Sequence, residues 1–165
     1  MNAAVTRLRE WRWHPWTCLA ARLYLGVVFG AACAYKIAHP ESFAVDVATY
    51  GILPLWAVNA FAIVLPWVEA AAAVMLVLGF RARAGALLAA SMMVMFMVAL
   101  GVALAKGLDM SCGCFASASA AEQDPIGWTT MLRDSSWLAL AVYVAVFDRR
   151  PIGLDAWIAR RVERR

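Results

Sequence analysis

Residues 55–80 read LWAVNAFAIVLPWVEAAAAVMLVLGF, and that stretch decides the fold. Its 26 residues hold a single ionisable side chain, Glu69. As a helix at about 1.5 Å per residue, the run is longer than the roughly 30 Å hydrocarbon core of a bilayer. Three further runs resemble it. The expected spans cover about 17–35, 55–80, 84–105 and 126–147, the last being the least uniformly apolar. The whole chain is 64% hydrophobic with a mean hydropathy of +0.70, whereas a soluble domain is nearer half apolar. These features predict an all-α polytopic membrane protein: a four-helix bundle forming one domain over residues 1–165. Residues 1–16 form an interfacial arm, 17–148 the bundle and 149–165 a tail. The first run has no small-residue exit site and continues to membrane length, which predicts a retained helix and not a cleaved signal.

Positive charge sets the expected orientation. Arg7, Arg9 and Arg12 precede the first span, and Arg81 and Arg83 lie in the short second connection. Arg149, Arg150, Arg160, Arg161, Arg164 and Arg165 occupy the tail. Together these are 11 of the 15 basic residues. The other two connections offer Lys36, Lys106 and, at the edge of the fourth span, Arg133. The positive-inside rule then puts both termini in the cytoplasm of a bacterial inner membrane and the first and third connections outside. Val5, Leu8, Trp11 and Trp16 recur beside arginines at roughly helical spacing, as do Leu154, Trp157, Ile158 and Val162. Both ends therefore read as short helices lying on the lipid bilayer surface. The +4 net charge is accounted for by this anchoring, and no nucleic-acid motif accompanies it.

The third connection carries Met110-Ser111-Cys112-Gly113-Cys114-Phe115. Outside the cytoplasm a thiol pair can form a disulfide, exchange it with a partner or bind a soft metal. A Cys-Gly-Cys disulfide closes a tight ring, and Gly113 allows the backbone torsions that such a ring needs. As a staple it is poor, because it closes almost no loop. Arg133 or Lys106 nearby would favour the thiolate. A structural or idle pair and a metal-binding pair stay open as alternatives. Cys33, near the outer end of the first span, is either a third member of a thiol relay or a small packing residue. Cys18 lies near the inner end of the same span, about 22 Å from Cys33 along a helix.

Glu69 near mid-membrane is the second candidate site, since ionisable groups at that depth are costly. Three readings apply: an ion pair with Arg22, a protonated carboxyl bonded across helices, or a proton-handling group beside a quinone. Met92, Met93, Met95 and Met97, with Met110, admit Cu(I) handling, although membrane packing explains them as well. His14 and His39 stand apart from the cysteines, so no zinc spacing exists.

In order along the chain come Arg22-Leu23-Tyr24-Leu25-Gly26, Phe29, Lys36, Pro40 and Phe43. Then follow Tyr50-Gly51-Ile52-Leu53-Pro54, Leu65-Pro66-Trp67-Val68-Glu69, Gly79-Phe80-Arg81, Ser111-Cys112-Gly113-Cys114-Phe115, Ile126-Gly127-Trp128 and Arg133-Asp134. This ordered set, over roughly residues 17–148, resembles the MauE family within the DoxX-like group of four-helix membrane proteins. One departure is Ala116, where the family often has Gly. The resemblance implies an inner-membrane protein linked to thiol redox chemistry. It also implies a role in maturation of a disulfide-rich or cofactor-containing periplasmic enzyme such as methylamine dehydrogenase, alongside a thioredoxin-like partner.

The expected function is thus thiol-disulfide exchange through Cys112 and Cys114, with Arg133 assisting. Electrons would pass to another membrane redox protein or to a quinone at a site that includes Glu69 and Arg22. The rivals are a non-catalytic membrane subunit of a larger oxidoreductase or assembly complex, and Cu(I) handling.

Overall fold

The computed structural model describes residues 14–108, 127–148 and 153–162, without the side chains of residues 158 and 159. The described residues form helices and connections with no strand. Helix α1 covers His14–Ala38, α2 Pro40–Thr49, α3 Leu55–Leu78, α4 Ala82–Ala105, α5 Trp128–Phe147 and α6 Leu154–Val162. Four of them, α1, α3, α4 and α5, are long and apolar enough to cross a membrane.

Cross-helix contacts give the topology. Gly26 packs on Ala73 and Val77, and Lys36 meets Glu69, so residue numbers rise along α1 as they fall along α3. Gly85 sits against Met75 and Leu76. Arg83 donates to the carbonyl of Ala145, and Ser135 to the sulfur of Met97. Thr17 bonds Tyr143, and the Trp137 indole donates to the Tyr24 hydroxyl. Each neighbouring pair is therefore antiparallel, in an up-down-up-down ring. One end gathers Arg22, Arg81, Arg83 and Asp148. The other, here the loop end, gathers Lys36, α2, the C-terminus of α4 and the N-terminus of α5.

Small residues let the backbones approach. A Cβ on Gly26 would lie 2.6 Å from Val77 Cγ2, and one on Gly85 would lie 2.9 Å from Met75 Cβ. Ala72, Ala73, Ala86, Ala89 and Ala141 fill the centre around Leu25, Phe29, Leu76 and Trp137. This is how helices associate in lipid, where packing replaces the hydrophobic effect. The outward surface is apolar too: Leu55, Trp56, Ile63, Val64 and Trp67 of α3 are all exposed.

The first span is longer than expected and is followed by a helix the sequence reading lacked. Pro40 disfavours a helical conformation at His39, which ends α1, and then occupies the first turn of α2. Phe43 and Val47, one turn apart, bury against Val58 and Ala62 of α3. The turn between α3 and α4 uses left-handed backbone at Gly79 (φ 66°) and Arg81 (φ 46°). There α6 docks. The Asp155 carboxylate accepts the Arg81 backbone N–H at 2.7 Å, and the Asp155 N–H donates to the Gly79 carbonyl at 3.2 Å. The expected amphipathic tail helix is present, with Trp157 and Val162 exposed and Arg161 stacked 4.2 Å over the Trp157 ring. The expected N-terminal arm lies outside the described residues.

Candidate functional site

Among the described residues, three charged pairs are built into the bundle. The first joins α1 to α3. Lys36 Nζ donates to Glu69 Oε1 at 2.8 Å and to Oε2 at 3.0 Å. The two residues are only 5% and 7% exposed. The contact follows from helix geometry. Side chains lean toward the N-terminus of their own helix, so Lys36 leans down from the loop end while Glu69, on an antiparallel neighbour, leans up. Helix α2 closes the site from above, with the Phe43 ring centre 4.9 Å from the ammonium.

Around this pair lies a cavity of about 60 Å³, walled by residues that include Phe29, Phe43, Met92 and Trp137. Phe43, Leu65, Met95 and Phe96 also wall a larger cleft of about 320 Å³ between α2, α3 and α4. Among the described residues that line this cleft, Asp46 carries the one carboxyl group. Burial raises its pKa above the ordinary carboxylate range, and the positive charge of Lys36 pulls it partly back.

The second pair lies at the start of α5. Asp134 is fully buried, and Arg133 Nε donates to its Oδ1 at 3.2 Å. The Arg133 guanidinium also sits 5.0 Å over the Trp137 ring, which itself borders the Lys36–Glu69 cavity. The third pair, Arg22 with Asp148 at 3.4 Å, holds the opposite end of the bundle.

Of the three readings of Glu69, the ion pair with Arg22 is therefore corrected. Lys36 takes Glu69, and Arg22 takes Asp148. The cause is the length of α1: because it runs to Ala38, Lys36 is a bundle residue and not part of a connection. Lys36, Asp134 and Asp148 are buried charges alongside Glu69 and Arg22. A signal for this was present. Arg22, Gly26, Phe29, Cys33 and Lys36 follow at intervals of four, three, four and three, one stripe of a helix, and all five are buried.

Cys112 and Cys114 lie outside the described residues, as do Met110 and Ala116. The segment that carries them joins α4 to α5 at the loop end. Cys33 is buried one turn before Lys36 and donates its Sγ–H to the Gly30 carbonyl at 3.2 Å; Cys18 is buried near the other end of α1. Met92, Met93 and Met95 wall the cavity. Among the described residues no three His, Cys, Asp or Glu side chains cluster as a metal site would require.

Comparison with known proteins agrees with this architecture. Residues 14–147 match the family described as methylamine utilisation protein MauE. The methylamine utilization protein MauE of Paracoccus denitrificans is 36% identical over 132 residues, which is 79% of this chain and 69% of that protein. The MauE protein of Methylorubrum extorquens is 34% identical over 123 residues, covering 74% and 64% of the two chains. That of Methylophilus methylotrophus is 30% identical over 142 residues, covering 86% and 74%. No solved structure matches the chain. With four apolar helices and a family match that covers all of them, this multi-pass membrane protein belongs to the MauE family.

Proposed function

We propose that the chain is an inner-membrane thiol-disulfide redox protein that serves the maturation of a disulfide-rich or cofactor-containing periplasmic enzyme. Cys112 and Cys114 are the working pair. A thiolate of this pair attacks a partner disulfide and forms a mixed disulfide. The second cysteine then displaces the partner, so that two electrons and two protons leave this protein as its own disulfide forms. The reverse direction uses the same intermediate. The natural partner class is a thioredoxin-like periplasmic protein or another membrane redox protein.

One observation carries the reading. The helix ends that flank the cysteine-bearing segment, the C-terminus of α4 and the N-terminus of α5, lie at the loop end of the bundle, opposite the end that gathers Arg22, Arg81 and Arg83. By the positive-inside rule the loop end faces the periplasm and both termini face the cytoplasm. Membership of a methylamine utilisation family supports an accessory role.

Thiol-trapping mass spectrometry on isolated membranes, equilibrated against a graded dithiol buffer, tests the proposal. A reversible Cys112–Cys114 disulfide with a midpoint above about −270 mV, the potential of thioredoxin, is expected. Cysteines that stay reduced throughout would overturn it and leave a non-catalytic membrane subunit or Cu(I) handling in its place.

A further inference from the structure

The cleft between α2, α3 and α4 has a form that thiol exchange alone does not need. Its outer part is bordered by Ile52, Met95 and Val98, all exposed on the apolar flank of the bundle. A ligand dissolved in the membrane therefore enters from the side. Its walls are Phe43, Tyr50, Phe61 and Phe96 with aliphatic neighbours and the carboxyl of Asp46. At about 320 Å³ it falls within the range of small-molecule sites. The smaller cavity that shares its wall ends on Lys36 and Glu69.

That polar end selects the ligand. Lys36 spends two of its three N–H directions on Glu69, and its side chain lines the cavity. The pair is neutral overall, so an anionic headgroup drawn to Lys36 is opposed by Glu69 at the same site. A plain acyl chain offers the ammonium no hydrogen-bond acceptor in addition to Glu69 and the face of the Phe43 ring. An uncharged ring bearing carbonyl oxygens accepts from the ammonium. Once reduced, its hydroxyls donate to the carboxylate.

We propose that this cleft binds the ring of a lipid-soluble quinone, with one carbonyl oxygen directed to Lys36 and the prenyl chain leaving past Val98. Its use as an electron acceptor rests on the thiol-redox reading above. In that step two S–H bonds break and one S–S bond forms, and the two electrons and two protons convert the quinone to its quinol. Binding itself does not depend on the cysteines.

The test uses the full chain in lipid nanodiscs with a photoreactive azido-quinone, competed by decylubiquinone, decanol or phosphatidylglycerol. Saturable labelling of peptides containing Phe43 or residues 95–99 is expected, with competition by decylubiquinone alone. Lys36→Met should weaken binding by about tenfold or more, the value of one charge-assisted hydrogen bond. Because Lys36→Met leaves Glu69 unpaired, Ala99→Phe, which fills the cleft and leaves the ion pair intact, provides an independent variant that should also lose labelling. Unsaturable or displaced labelling, or equal competition by decanol or phosphatidylglycerol, would overturn the proposal. Labelling should persist in Cys112→Ser/Cys114→Ser. Quinone binding without a reversible disulfide would sink only the thiol reading, and a cycling disulfide without quinone binding would sink only this one.

Discussion

Gly79 and Arg22 touch across the α1–α3 interface. A Cβ on Gly79 would stand 3.0 Å from both terminal nitrogens of the Arg22 guanidinium. Gly79 also needs its positive φ of 66° to end α3. Gly79→Ala is therefore opposed twice, by left-handed strain of about 1–2 kcal/mol and by displacement of Arg22 from Asp148. The expected loss is about 1–3 kcal/mol, read as a lower unfolding transition in nanodiscs. An unchanged transition would show that Arg22 moves aside freely.

Lys36→Met leaves the Glu69 carboxylate buried without its cation. Breaking a buried pair in this way costs about 3–5 kcal/mol, while replacing both partners by apolar side chains is often neutral. Lys36→Met/Glu69→Leu should recover most of the lost stability. If the double variant is as unstable as the single one, the pair is holding the bundle together and not merely tolerated within it.

Asp46 predicts a pH dependence of definite sign. Burial raises its pKa in the folded protein, so the folded state holds its proton to higher pH than the unfolded chain does. The stability contributed by the protonated form is complete below the ordinary carboxylate pKa. It is lost as pH rises through the raised value. Unfolding titrated upward from mildly acidic pH should show this decline in the wild type and not in Asp46→Asn. A decline of equal size in the variant would assign it to another group.

The orientation proposed from charge can be read with reporter fusions. Alkaline phosphatase joined after Gly107 should be active and joined after Val162 inactive, because only periplasmic fusions fold. Two active fusions would mean that both reporters had been exported, against the single span, α5, between that site and the tail.

Asp155→Ala removes the acceptor of the Arg81 N–H. This bond holds α6 at the α3–α4 turn, and its loss should cost about 0.5–2 kcal/mol, the scale of a helix cap. The expected signature is faster amide exchange in residues 153–162 with little change in α1 or α5.

Much of this molecule was legible in its sequence, for reasons that specific residues make plain. Apolar length alone located α3 and α4, since lipid leaves a spanning chain few choices but a helix. Tail amphipathicity was legible from Leu154 and Trp157 beside Arg160 and Arg161. Helix α2 was missed because its apolar face is short: Phe43 and Val47 give it one turn of periodicity between Pro40 and Gly51. Glu69 was legible as a site because a carboxylate in an apolar run is conspicuous. Its partner was not, because Lys36 stands at the edge of the run, where a lysine reads as part of a connection. Arg133 and Asp134 are adjacent in the sequence, but the burial of Asp134 and the stacking of Arg133 over Trp137 depend on how α5 rotates against α1, which local sequence does not specify.

Each of the three ion pairs is neutral: Lys36 with Glu69, Arg22 with Asp148, Arg133 with Asp134. Moving one elementary charge through a membrane potential of 100 mV involves about 2.3 kcal/mol. A rearrangement that moves one of these pairs as a unit therefore carries no net charge of that pair through the field.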